Sequence, residues 1–483
     1  MSLEIKNSVH IYIVPFYFDK DYYEKLVSFF KNDMINSTNK WMQYNLWSDD
    51  NIENQVEMDI YSFFKSSMCE SDCRMSKNLG ISFKMNDKNC LKRIICDLSK
   101  NNEENKKTFE ADITDLGLFI FNEGIAFLWY EIKTAANNKP NSDDLILFQN
   151  MVKELSRSKY AYYIENGKKY PIGKWIVEIL KDQKSIINYF AEREINIDGS
   201  KITVPDKALL FNYLFTNQSE KNTRELLAYR ITNGFDDKYC PPDNIDKDMY
   251  EPYGNATTYV TKSGMSYIIN DSEKTNSYFF LNHFDKKFKN DYFFIYIILL
   301  YQSYSCFYYS NKLTYEIPSN INEFEKDGTQ LDKLENLERN INLFLVKGIY
   351  GSISNIHQQD EIYKYGKKSL GIDEDMKSLT VGLEALRQLE IEKRQKEKSK
   401  RDENMNTAVI MLSLLTTISA FVNAINIGDW YLSGGLSRIS TVHIIILSIV
   451  LLLVMFFLFA LLKNKFFVFI KNKFFVKKKN KRK

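Results

Sequence analysis

The residues with the most chemistry in them lie near the C-terminus. Between Thr407 and Ile427, TAVIMLSLLTTISAFVNAINI, no residue is charged, yet Thr407, Ser413, Thr416, Thr417, Ser419, Asn423 and Asn426 carry hydroxyls and amides. On a helical period, Glu403, Asn406, Ile410, Leu414 and Thr417 form one stripe, with spacings of three, four, four and three. Polar groups on an otherwise apolar helix are costly in hydrocarbon unless they face protein or water. Several copies of such a helix around an axis would each present the stripe to a lumen. The plainer reading is that Ser and Thr line ordinary helix–helix contacts.

Other candidate groups are weaker. Cys69, Cys73, Cys90 and Cys96 lie within 28 residues, but their C-x3-C-x16-C-x5-C spacing is not the paired C-x2-C of zinc ribbons. Reduced, scattered thiols are the expectation. Gly167 to Lys174, GKKYPIGK, resembles a phosphate-binding loop but has one residue too many, and Trp175 stands where Ser or Thr belongs. Ser263–Gly264, between two expected strands, could meet a phosphate through backbone N–H groups, though an ordinary turn explains it as well. There is no H-E-x-x-H, no G-x-S-x-G, and only four His. Catalysis is not expected.

The elements that must position the stripe begin with two uncharged arms. The second, Thr441–Leu462, reads TVHIIILSIVLLLVMFFLFALL, and 13 residues (428–440) separate it from the first. About 20 apolar residues cross a bilayer as a helix. Two transmembrane helices, 407–427 and 441–462, are therefore expected, with 428–440 as an outer loop. Lys393, Arg394, Lys396, Lys398, Lys400 and Arg401 precede the first arm. The tail 463–483 carries ten basic residues and no acidic one, so the rest of the chain is net acidic beneath an overall charge of +3. Basic flanks favour the cytoplasmic side. The expectation is a multi-pass protein of the cell inner or plasma membrane with both termini cytoplasmic. The lipid bilayer is its partner, and direct nucleic-acid binding is not expected. The start, MSLEIKNSVH, lacks the pattern of a cleaved signal peptide.

The body reads as a sensory α/β region, 1–290, followed by a helical part, 291–371, and a stalk helix, 372–406. Val9–Phe18 reads as a strand. Leu116–Asn122 and Ile125–Lys133 flank Glu123–Gly124 as a nearly all-apolar hairpin. Ser142 is a plausible N-cap for a helix presenting Leu145, Phe148, Val152 and Leu155 on one face. Further strands are expected within 160–285, and the pattern leaves open whether they share a sheet with the first block. Tyr292–Tyr309 reads as a buried helix because of its Tyr, Gln and Ser. Leu331, Leu334, Ile341 and Leu345 mark another helix ending near Gly348. Ile372, Met376, Leu379, Leu383 and Leu386 alternate spacings of four and three, the seam of a coiled coil and a means to oligomerise. With no Pro after Ile372, one unbroken helix to Ile427 is expected, 56 residues or roughly 84 Å.

This plan resembles the CorA family of divalent-cation transporters. The fold class is an α+β cytoplasmic domain, then a long stalk helix, then two transmembrane helices. Placed without gaps, the family pattern of the first span puts its first Thr on Thr407, the Thr of Pro-Leu-Thr on Thr417, and the Asn of Gly-Met-Asn on Asn426. Leu415 and Thr416 replace Pro and Leu, Asn423 replaces Tyr, and Ala424–Ile425 replace Gly-Met. The enlarged cytoplasmic part and altered mouth motif are similar to CorA-like proteins encoded with type III CRISPR systems. That resemblance implies a homo-oligomeric, pentameric channel serving antiviral defence. A nucleotide second messenger of the S-adenosylmethionine–AMP type would open it. Glu403 and Asn406 would sit at the inner entrance, Ile410 and Leu414 would form an apolar gate, and Thr417 and Asn426 would offer oxygens to ions, with Asn426 holding a hydrated cation at the outer mouth. The alternative is a divalent metal cation transporter for magnesium, cobalt or zinc, with Mg2+ or a similar ion as the permeant species. No resident cofactor is implied, and the position of the ligand pocket is left open.

Overall fold

A computed structural model describes residues 3–35, 41–43, 79–98, 108–134, 141–180, 185–217, 220–235, 242, 248–271, 275–316 and 329–432. Its centre is β1 (Ile5–Tyr17), which pairs antiparallel with β6 (Ile125–Thr134) on one side and β12 (Leu209–Thr216) on the other. Both neighbours are buried along most of their length, which is why these strands read as continuous apolar runs rather than alternating ones. From β6 the sheet continues through β5 (Thr108–Phe121), β4 (Arg93–Asp97), β7 (Ala161–Glu165) and β8 (Lys168–Pro171). From β12 it continues through β15 (Gly264–Asn270), β14 (Ala256–Thr261) and β13 (Tyr250–Tyr253). The two strand-rich blocks thus form one sheet. The β12–β15 pair is parallel, while its flanking pairs are antiparallel. A separate hairpin joins β10 (Glu192–Ile197) to β11 (Ser200–Pro205).

Alternation along the central strands builds a core on each face. Tyr12, Val14 and Phe16 of β1, with Leu128 and Tyr130 of β6, enter one core. It is covered by α1 (Tyr23–Ile35), α2 (Ser142–Lys153), α3 (Ile172–Ile179) and α4 (Lys221–Asn233). Helix α2 places Leu145, Phe148 and Val152 inward, with Leu155 just beyond its end, and all four are fully buried. Its N-cap is Asn141 rather than Ser142: Asn141 Oδ1 accepts from Asp144 N at 2.8 Å. The Ser142 hydroxyl instead accepts from Leu3 N at 3.0 Å.

The odd residues Val9, Ile11 and Ile13, with Phe127, Trp129, Phe211 and Tyr213, enter the other core. Two short helices, α5 (Ser277–Asn282) and α6 (Phe284–Lys287), and a π-helical turn, Phe288–Tyr292, lead there into α7 (Phe293–Glu316). Phe211 meets Phe288, Phe293 and Tyr296 at ring-centroid distances of 4.3, 5.2 and 5.6 Å. Burying each such ring contributes about 2–3 kcal/mol. Gln302, buried in α7, donates to Gly348 O and to the Tyr363 hydroxyl, both at 2.9 Å. The expected buried helix is what forms.

Over α7 lie α8 (Thr329–Lys347), α9 (His357–Leu370) and the start of α10 (Ile372–Leu432). Gly371, with φ +70°, ends α9 and lets α10 begin one residue later. Helix α10 runs unbroken for 61 residues, as the missing break signals imply. Its expected coiled-coil seam is spent differently. Ile372, Leu379, Leu383 and Leu386 are at most 3% exposed and belong to the core of this same chain. The period identifies an apolar stripe, and intramolecular helices cover it first.

The expectation of a membrane protein is corrected. Among the described residues no helix is long and apolar enough to cross a membrane. The charged run from Glu390 to Glu403 occupies the middle of α10. Of the expected loop 428–440, residues 428–432 are the last of α10, while 433–440, the second arm 441–462 and the basic tail lie outside the described residues. Two transmembrane helices, multi-pass localisation in a cell membrane and the ion-channel architecture are therefore not supported. What stands is an α+β domain with a long helix. By compactness the chain divides at Ile391, into Met1–Ile391 and Glu392–Lys483.

Candidate ligand-binding cleft

Within the first unit a cleft of about 1080 Å³ opens where the end of β1, the β5–β6 turn, α1, α7 and α8 meet. Its floor is made by Asn122 and Glu123, the tip of the apolar hairpin. Gly124 at φ +87° closes that turn, a backbone state that L side chains rarely adopt. Gly124 N donates to Phe121 O at 3.2 Å, and Gly124 O accepts from Phe18 N at 2.9 Å, tying the turn to the end of β1. Just beyond, Asp19 caps a 3₁₀ turn, Lys20–Tyr22, and Lys20 points across the cleft.

One carboxylate gathers these elements. Glu123 is 4% exposed. Its Oε2 accepts from the Tyr309 hydroxyl of α7 at 2.7 Å and from Lys20 Nζ at 3.1 Å. Lys20 Nζ also donates to Asn340 Oδ1 of α8 at 3.4 Å. Burial and the neighbouring carboxylate push the Tyr309 phenol far above its ordinary range, so it remains a hydrogen-bond donor. Residues 20, 123, 309 and 340 are remote in sequence, yet they converge on one point.

The α8 side of the cleft is basic. Lys333, Arg339 and Lys347 line it, with Lys312 from α7 adding a fourth positive group. Among the described residues, Lys333, Arg339 and Lys347 make no ion pair. The opposite side, from the 3₁₀ turn and α1, presents Asp19, Asp21 and Glu24. Asn122, Asn336 and Asn340 add amides between the two signs. This arrangement can hold an elongated polar ligand with anionic groups along α8. Opposite charges on facing walls fix the ligand's orientation more than they add affinity.

A second buried polar group lies behind the sheet and has no opening. His10, Gln149 and Asn212 are at most 2% exposed. His10 Nδ1 lies 2.9 Å from Asn212 Oδ1 and 2.8 Å from Gln149 Nε2. These contacts ask opposite roles of one nitrogen. The tautomer decides which forms: Nδ1–H donates to Asn212 Oδ1, or a bare Nδ1 accepts from Gln149 Nε2. Burial pushes the imidazole down to about 4, aided by Lys289 and opposed by the Asn212 hydrogen bond, so this His is neutral near pH 7.

The residues singled out from sequence fall elsewhere. Glu403, Asn406, Ile410 and Thr417 lie exposed on α10, and Leu414 is partly exposed, all in the second unit. The Thr407 hydroxyl donates to Glu403 O at 2.8 Å and the Thr417 hydroxyl to Ser413 O at 2.7 Å, so both are bonded back to their own helix. Asn426 is helical in backbone, and its side chain lies outside the described residues. Cys69 and Cys73 also lie outside them. Cys90 donates from Sγ to Asp87 Oδ2 at 3.3 Å, while Cys96 is buried and its thiol is held protonated. Among the described residues no group of three His, Cys, Asp or Glu could hold a metal ion. The loop-like GKKYPIGK is strand β8 running into α3, and Trp175 donates from its indole to Cys90 O at 2.9 Å. Ser263–Gly264 is the β14–β15 turn, with Ser263 O accepting from Leu210 N at 3.2 Å.

The cleft was missed because its residues belong to five separate segments. One signal did exist: Asn122–Glu123 places a carboxylate at the tip of an otherwise apolar hairpin, where the turn itself needs only Gly124. No family model matches the chain, and no curated protein or solved structure is similar to it.

Proposed function

We propose that this protein is a ligand-responsive sensor whose cleft takes a nucleotide-type second messenger and whose α10 helix carries the response. The observation that carries this reading is the cleft itself: Lys333, Arg339 and Lys347, which make no ion pair among the described residues, line one wall, and a buried, hydrogen-bonded Glu123 forms the floor. Its volume suits a ligand larger than a mononucleotide. Phosphate groups fit the α8 wall, where Arg339 offers a planar donor pair and the lysines offer point charges. The acidic wall suits a cationic group on the same ligand. A conjugate of S-adenosylmethionine and AMP, the messenger type implied by the resemblance to CRISPR-associated effectors, carries both. The pore of that resemblance is not part of the proposal. The divalent-cation transporter reading has no observation in its favour.

The test is equilibrium binding to the full chain of four probes: ATP, AMP, S-adenosylmethionine and the S-adenosylmethionine–AMP conjugate. At least one phosphate-bearing probe binds, and affinity falls at least tenfold in Arg339→Ala and in Lys347→Glu. Binding falls with rising salt, since phosphate contacts to exposed cations are screened. Wild-type affinity in both variants would overturn the assignment.

A further inference from the structure

Helix α8 has two working sides. One lines the cleft with Lys333, Asn336, Arg339, Asn340 and Lys347. The other holds α10: Arg387 Nε donates to Glu338 Oε1 at 2.7 Å, and its Nη2 donates to Asn342 Oδ1 at 3.2 Å. Between these sides, Phe344 packs inward against Tyr301 and Tyr309 of α7 at ring-centroid distances of 5.9 and 5.6 Å. Tyr309 is the residue that bonds Glu123 on the cleft floor. The same α8 turns therefore touch a prospective ligand, the floor carboxylate through Tyr309 and Lys20, and α10 through Arg387.

Resting on the reading of the cleft just given, we propose that α8 is a rocker that couples cleft occupancy to α10, with the Lys20–Glu123–Tyr309 cluster as its latch and the Arg387–Glu338–Asn342 contact as its output. Anionic groups held by Lys333, Arg339 and Lys347 draw the cleft side of α8 toward the ligand. They also compete with Glu123 for Lys20, which frees Asn340 from its contact. Phe344, set between two tyrosines, is the pivot. The output contact has the right character for a relay. Arg387 is 43% exposed in its side chain and Glu338 19%. A pair open to solvent on one side contributes modestly to stability, so it can break and re-form without unfolding the domain. The apolar contacts of α10 do not have this freedom, since Leu379, Leu383 and Leu386 are sealed in the core.

Coupling of this kind is reciprocal: altering the output must change affinity at the cleft. ATP serves as the polyphosphate probe, titrated calorimetrically into the full chain. Arg387→Glu, remote from the cleft lining, shifts the ATP Kd at least threefold, and Glu338→Arg does the same. The double variant Glu338→Arg with Arg387→Glu restores the Kd to within twofold of wild type, which a merely structural disturbance would not do. Amide hydrogen exchange in 377–391 changes on ATP addition in wild type and in the double variant, and not in Arg387→Glu. Arg339→Ala separates the two ideas. If Arg339→Ala and Lys347→Glu bind ATP as wild type does, or wild type binds none of the phosphate-bearing probes, the cleft assignment fails and the rocker with it; if wild type binds another of them but not ATP, the same variants are read with that probe. If those variants lose ATP while Arg387→Glu and Glu338→Arg leave the Kd unchanged, the cleft stands and the rocker alone is overturned.

Discussion

Two of the buried polar clusters on the sheet differ in kind. Behind it, His10, Gln149 and Asn212 are neutral, sealed and close to one another. At the end of the β5–β6 hairpin, Glu123, Lys20 and Tyr309 include opposite charges, and Lys20 and Glu123 line a cleft. A neutral amide–imidazole cluster can be closed off because no ion is stranded in the core. A buried carboxylate needs a cation, and a cation needs water or a further anion nearby. The sealed cluster therefore pins α2 to β1 and β12, while the open one can exchange partners. The contrast separates a sealed cluster that ties elements of the fold together from one that lines a cleft.

The strongest way to break the contrast is to strand the charge. Lys20→Met leaves Glu123 without its cation and costs about 3 kcal/mol in urea unfolding at pH 7. Adding Glu123→Gln recovers most of that loss, because the carboxamide needs no counter-ion. If Lys20→Met is neutral, the open cluster is not charge-dependent.

Acid probes the sealed cluster next. The folded imidazole of His10 sits at about 4 against 6.5 for an ordinary histidine. The unfolded chain therefore binds the extra proton first. This contribution is fully present above pH 6.5 and is lost as pH falls toward 4, about 3 kcal/mol over the window. In His10→Phe the pH slope between 6.5 and 4 is shallower than in wild type, and equal slopes would contradict the assignment. Gln149→Leu removes a partner without adding charge and costs about 1–3 kcal/mol by urea midpoint at constant m-value. The smallest effect is expected at the α8–α10 contact, where Arg387→Ala moves the urea midpoint less than any of the variants above. A larger loss would mean that this contact holds the fold together rather than relaying.

Local pattern was enough for several elements. The apolar run at Val9–Phe18 is β1, the paired runs around Gly124 are β5 and β6, and the aromatic stretch from 292 is a buried helix. The unbroken helix from Ile372 follows from the absence of break signals. Two hairpin turns were also legible and went unread. Asn166–Gly167 and Asp198–Gly199 are dipeptides suited to positive φ, and all four residues adopt it. The first lies beside the segment weighed as a phosphate loop.

By itself, then, the chain determined which stretches are extended, which are helical and which faces are apolar, because period and turn chemistry act over a few residues. It did not determine what covers those faces. The stripe from Ile372 to Leu386 had the spacing of an intermolecular seam, and only packing showed that α10 spends it within its own chain. Length and hydropathy likewise suggested a first membrane arm in α10, where the described residues hold no helix long and apolar enough to span. The cleft is the clearest case. Lys20, Glu123, Tyr309 and Asn340 acquire their meaning only when the sheet, α7 and α8 close together. Hydrogen bonds and charge pairs are made by distance in space, and no local period encodes a distance across some 300 residues of chain.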